Sequence, residues 1–213
     1  MRMYNNEALS KHLRDNLGIY FIVILFFALG IATGAFTVKA MSSEEQQNLI
    51  KYLNNFFQII SSDNVSFGKN LAWSLKNNLQ IIFFLWVLGL TILGIPFNLL
   101  ITSFRGFLLG YTVAFLISSM SWKGLLFIAA AILPQNIIYI PCLIIISAMS
   151  LSFSMKVLRR KGKSIGTGFG ETNTVISYSA KMAAVSLIML IGCLIEVFIS
   201  PTIVRFMSSY MTK

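Results

Sequence analysis

The sequence predicts an all-α, polytopic integral membrane helical bundle of about five transmembrane helices, with an external amphipathic helical hairpin. Three observations carry this reading. Hydrophobic residues make up 56% of the 213 and charged residues only 11%, against about 25% charged in an ordinary soluble domain. Mean hydropathy is +0.77. The charges fall between long apolar runs rather than along them. Such a chain cannot cover a soluble surface, which sets aside a soluble enzyme, a disordered chain and a nucleic-acid-binding domain.

The 17 Lys and Arg against 7 Asp and Glu give a net charge of +10. No basic face or motif accompanies it, so the excess points to loop charges facing anionic lipid headgroups and not to nucleic acid. Cys142 and Cys193 both lie inside apolar runs. They read as small packing residues, and no disulfide framework follows.

The first uncharged run, Leu17 to Val38, is long enough to cross the roughly 30 Å hydrocarbon core as a helix. It lacks a clean small-x-small cleavage site, so it reads as a retained span and not a signal peptide. Residues 39–77 follow as an external helical segment. Leu49, Leu53, Phe56 and Ile60 recur at spacings of three and four, which puts them on one helical face. Phe67, Leu71 and Leu75 repeat the pattern, and Trp73 suits an interface. This face either packs on the chain's own spans and the lipid surface or docks an external partner.

The uncharged stretch after Asn78 holds two spans, at about 78–95 and 99–120. Gly94-Ile95-Pro96 marks the bend between them, and Arg105 sits in the first turns of the second, placed to snorkel toward the cytoplasmic interface. The run from Gly124 to Met155 would make a straight helix of about 48 Å. Leu133-Pro134-Gln135-Asn136 interrupts it, and proline removes a donor and clashes with the preceding turn. A span over 124–157, broken near Pro134, is expected. A basic cytoplasmic loop, 158–177, leads to the last span at about 178–199, which contains Glu196 and ends at Ser200-Pro201.

Orientation follows the positive-inside rule. Arg2, Lys11, Arg14, Arg105, the block from Lys156 to Lys163 and Lys181 outweigh Lys39, Lys51, Lys69, Lys76, Lys123, Arg205 and Lys213. The N-terminus is therefore expected inside and the C-terminus outside. Two crossings within 124–155 would reverse the later parity.

Few residues carry chemistry. The only histidine is His12, and no H-E-x-x-H, C-x-x-C or G-x-S-x-G occurs. Gly162-Lys163-Ser164 is not a P-loop, because position 157 is Val where that motif needs glycine. No catalytic, metal or cofactor residues are assigned, and the chain reads as non-enzymatic. Glu196 is the one acid inside a span. It is either a solvated end residue or a partner for Gln135-Asn136 or an internal base. Gln135 and Asn136 need partners in hydrocarbon. They either satisfy carbonyls freed by Pro134 or line a polar cavity, because broken helices often mark transporter sites. The pairs Gly30/Gly34 and Gly106/Gly110 permit close helix approach, within one chain or across a homodimer.

Asn78, Trp86-x-x-Gly89, Gly94-Ile95-Pro96, Arg105-Gly106-x-x-x-Gly110 and Leu133-Pro134-Gln135-Asn136 together resemble the stage II sporulation protein M family. The acid followed by Ser200-Pro201 fits as well. The resemblance covers nearly the whole chain and is densest between 78 and 141. It implies a multi-pass protein of endospore-forming bacteria, in the mother-cell membrane at the septum and the engulfing membrane. The implied role is to anchor and localise two peptidoglycan hydrolases, stage II sporulation proteins D and P, a lytic transglycosylase and an amidase/endopeptidase. The glycine and proline motifs carry no assigned chemistry. A transporter or channel-like membrane component is the alternative that the interrupted helix suggests.

Overall fold

The computed structural model describes residues 16–62, 67–161 and 172–211. These residues form α1 (Leu17–Ala40), α2 (Ser43–Ser62), α3 (Phe67–Gly89) and α4 (Gly94–Phe127). A π-helical stretch follows at Ile128–Ile132, then α5 (Leu133–Lys161) and α6 (Thr172–Met211). Among the described residues, four helical stretches are long and apolar enough to cross a membrane: Leu17–Ala40, Leu71–Gly89, Gly94–Arg159 and Thr174–Val197. The protein is a multi-pass all-α bundle.

The distribution of side chains fits lipid as the solvent. Asn98, Thr102, Ser147, Ser150 and Ser154 are wholly buried, whereas Phe21 is 68% exposed and Leu187 64%. That is the reverse of a soluble domain. Between such helices apolar burial gives no driving force, and small residues and hydrogen bonds hold the contacts instead.

The 66-residue stretch Gly94–Arg159 is folded on itself. Ser121, at φ 49° and ψ −122°, breaks α4. The backbone of Gly124 then lies against the Leu116 carbonyl, eight residues earlier and about 12 Å away on a straight helix. Asn98 faces Ser147, and Leu116 packs with Phe127 and Ile128. This is the pairing of an antiparallel hairpin with its corner at Ser121. The sequence places an interruption at Pro134. In the structure the backbone irregularities are this corner and the π-helical stretch directly before α5. Pro134 lies at the junction where the π-helical stretch passes straight into α5, the wider turn making room for a ring and a missing donor inside a continuous helix, and Pro141 is carried further along α5. Likewise α6 continues through Ser200-Pro201 to Met211.

Phe67, Leu71 and Leu75 belong to the start of α3, which runs without interruption into its apolar half. The α3–α4 corner is made by Thr91 N–H donating to Leu88 O at 3.0 Å and Gly94 N–H to Thr91 O at 3.2 Å. A Cβ at Gly94 would collide with the Leu88 carbonyl, so only glycine fits this corner. Pro96 follows in the first turn of α4, where no intrahelical donor is needed.

Gly106 and Gly110 of α4 face the carbonyls of Phe27 and Ile31 on α1. Gly30 and Gly34 face the carbonyls of Ser103 and Phe107 on α4. Both glycine pairs thus meet each other within the chain, and numbering rises along both helices together, so α1 and α4 run parallel. The central core joins Phe27, Leu85, Ile146 and Met182 from α1, α3, α5 and α6.

Serines 147, 150 and 154 form a stripe along α5. Ser147 bonds Asn98 and Thr102, the latter at 2.7 Å. Ser150 donates to Leu85 O at 2.6 Å and Ser154 to Thr91 O at 2.5 Å. The stripe joins α5 to both α3 and α4.

The start of α2 is a capping box. The Ser42 backbone N–H and hydroxyl donate to Glu45 Oε2 at 3.0 and 2.9 Å, and Glu45 N–H donates back to Ser42 Oγ at 3.3 Å. These bonds hold the exposed Glu45 carboxyl below its usual pKa. Half-buried Leu53 packs on the cluster of Leu116, Phe127, Ile128 and Ala131. The helix is thereby seated on the end of the bundle that holds the Ser121 corner. Leu49 is also half-buried, while the Phe56 and Ile60 side chains lie outside the described residues.

Candidate functional site

The richest polar convergence lies between α3, α4, α5 and α6, in the half of the bundle toward the Ser121 corner. Ser74 and Asn78 come from the polar start of α3, whereas Tyr139, Cys193 and Glu196 are polar residues in apolar helical runs. Such a residue is costly in hydrocarbon unless a neighbouring helix supplies its partner. Glu196 of α6 is the centre. Its Oε2 accepts from Ser74 Oγ of α3 at 2.5 Å and from the Tyr139 hydroxyl of α5 at 2.7 Å.

Asn78, one turn after Ser74, continues the network. Its amide nitrogen lies 3.2 Å from the Tyr139 hydroxyl and 3.5 Å from Cys193 Sγ, and donates to Ser74 O at 3.1 Å. Gly192 lets α6 approach this point closely. A Cβ there would stand 2.7 Å from the Tyr139 ring. Asn78 is 6% exposed and Cys193 1%. The cleft beside them has no volume for a water molecule.

Arg105 supplies the positive charge. Instead of reaching along α4 to the interface, its guanidinium keeps Nη2 buried with no hydrogen-bond partner. Tyr139 and Glu196 act on it electrostatically. The guanidinium is thus turned into the bundle, as charged residues within membrane spans usually are, and no ion pair to Glu196 is among its described contacts.

The other sequence-predicted residues lie elsewhere. Asn136 donates to Ile132 O at 2.8 Å, one turn back at the end of the π-helical stretch. Half-buried Gln135 and Pro134 sit beside it at the start of α5. Gly94 and Pro96 form the α3–α4 corner, and Gly106 and Gly110 the α1 contact. Of the residues singled out in the sequence, Glu196 and Asn78 share this network, and Arg105 acts on Glu196 electrostatically. Ser74, Tyr139 and Cys193 complete the cluster. For Tyr139 and Cys193 the one sequence signal is a polar group inside an apolar run, and Ser74, set among lysines and asparagines, carries none.

Chemically, the arrangement can hold one carboxylate in a fixed pose between three helices, with a cation on a fourth acting on it through its charge. Among the described residues there is no group of three His, Cys, Asp or Glu side chains able to hold a metal ion. The stage II sporulation protein M family model matches residues 23–201, most of the chain, and the chain belongs to that family. No curated protein and no solved structure matches it.

Proposed function

We propose, from membership of the stage II sporulation protein M family, that the chain is a non-catalytic membrane scaffold. It anchors and localises peptidoglycan hydrolases, sporulation proteins D and P, during engulfment of the forespore. The observation that carries this reading is the family match over residues 23–201. The architecture is compatible with it. A bundle closed by glycine contacts and serine hydrogen bonds offers a rigid base, and α2 is seated on one end of it through Leu53.

Orientation follows from charge. α1 begins at the end of the bundle where Asn16 Oδ1 accepts from Ser152 of α5 at 2.9 Å. Lys156, Arg159 and Lys181 are at that end, which the positive-inside rule assigns to the cytoplasm. The opposite end, with α2 and the Ser121 corner, then faces the wall, and the C-terminus is external. The membrane concerned is that of the mother cell at the septum.

Co-purification from sporulating cells in mild detergent tests the scaffold. Recovery of both hydrolases with the tagged chain is expected. Recovery of neither, with the chain intact, overturns the reading. The Arg105–Glu196 cluster and the π-helical stretch favour a second reading, a transporter or channel-like component. Solute flux in proteoliposomes that Glu196→Gln abolishes would establish it, and absence of flux from the folded chain would remove it.

A further inference from the structure

A cavity of about 300 Å³ opens between the end of α5 and the start of α6. Its walls carry the amines of Lys156 and Lys181 and the hydroxyls of Ser152, Thr174 and Ser177. Among the described residues, no carboxylate lines it. Its apolar floor is Met149 with Phe153 and Tyr178, whose rings stack at 4.3 Å. Met149 and Tyr178 are buried, whereas both lysines are exposed at the rim.

We infer that this cavity is a binding site for the phosphate-bearing headgroup of an anionic phospholipid. Three features select that ligand. The charge is positive from two different helices, so it converges on a point and not along a surface. The volume lies at the lower end for small-molecule sites, suited to a phosphoglycerol group and too small for a large cofactor. The site sits where two membrane-spanning helices leave the apolar layer, the depth at which lipid phosphates lie. Basic pockets between helices at the cytoplasmic side are a recurrent form of lipid headgroup site. The stacked Phe153 and Tyr178 give the glycerol and first acyl carbons an apolar wall. A bound lipid would join α5 to α6 across their basic connection.

The full-length chain in neutral detergent is titrated with phosphatidylglycerol and with phosphatidylcholine, and bound lipid is counted by native mass spectrometry. Phosphatidylglycerol is expected to bind the wild-type chain at least tenfold more tightly than phosphatidylcholine. Lys156→Gln/Lys181→Gln should weaken it roughly thirtyfold, taking each lysine at its usual worth near an anionic surface. Lys39→Gln/Lys123→Gln, at the opposite end, should leave the affinity within twofold. Equal binding of the two lipids, or equal losses in the two double variants, overturns a built site in favour of diffuse attraction. Displacement of phosphatidylglycerol by millimolar inorganic phosphate overturns the lipid as the source and leaves a soluble phosphate site.

Discussion

The Tyr139 hydroxyl of α5 and the Ser74 hydroxyl of α3 donate to the same oxygen of Glu196, at 2.7 and 2.5 Å. One carboxylate oxygen thus joins three helices that lie far apart in sequence, and Arg105 of a fourth acts on it through its charge. Removing Glu196 takes away both acceptor bonds. Glu196→Ala should cost about 3–6 kcal/mol, two hydrogen bonds to a charged acceptor at about 1.5–3 kcal/mol each. Adding Arg105→Gln should recover at least about 1 kcal/mol. Unfolding in detergent, followed as a double-mutant cycle, measures both. Additive losses would show that the two charges do not interact.

The α1–α4 crossing makes a sharper steric prediction. Gly106→Ala places a methyl against the Phe27 carbonyl, and Gly18→Ala places one in open space. The first should destabilise by about 1–3 kcal/mol or more and lower accumulation in membranes. The second should be neutral or mildly stabilising, because alanine is the better helix former. Quantitative immunoblotting of membrane fractions, together with thermal unfolding, distinguishes them.

Leu53 is the described link between α2 and the apolar cluster around Phe127. Leu53→Glu should remove about 1–1.5 kcal/mol, roughly half the value of a fully buried leucine, and loosen α2 from the bundle. Proteolysis within 43–62 should accelerate, and hydrolase co-purification should fall. Faster proteolysis with undiminished co-purification would place the docking surface elsewhere.

The capping box predicts a pH effect outside the membrane. Hydrogen bonds from the Ser42 backbone and hydroxyl lower the Glu45 pKa. A carboxyl depressed in the fold stabilises above its unfolded pKa, and the effect is lost as pH falls through the folded value. Amide protection in the first turn of α2, compared with Glu45→Ala, should be present at neutral pH. It should vanish below the usual carboxylate range. A difference that persists in acid would deny the carboxylate its role.

The fold class was legible because lipid imposes a coarse code. Uncharged runs such as Leu17 to Val38 can satisfy their backbone in a bilayer only as helices. The spacing of Leu49 and Leu53 likewise marked α2, and Ser42 followed by Glu45 three positions later is a start signal readable from residues alone. The pairs Gly30/Gly34 and Gly106/Gly110 were also in plain view, as close-contact sites. Convergence was not legible. Ser74, Tyr139 and Glu196 are separated by long stretches of sequence, and nothing local says that their helices become neighbours. The Ser121 corner was hidden for a different reason. A serine holds the positive φ, and glycine follows only at position 124, so the usual turn residue is missing from the place where the chain reverses.

The parallel contact of α1 with α4 sets an order on biosynthesis. The first helix leaves the ribosome well before its glycine-matched neighbour, with the chain from Ala40 to Gly94 still to be made. At usual elongation rates that is roughly 3–10 s. Through that interval Gly30 and Gly34 expose bare backbone to lipid or to an insertion factor. A nascent chain that stalls before α4 would carry an unmatched surface, one that quality-control proteases and insertases are equipped to recognise.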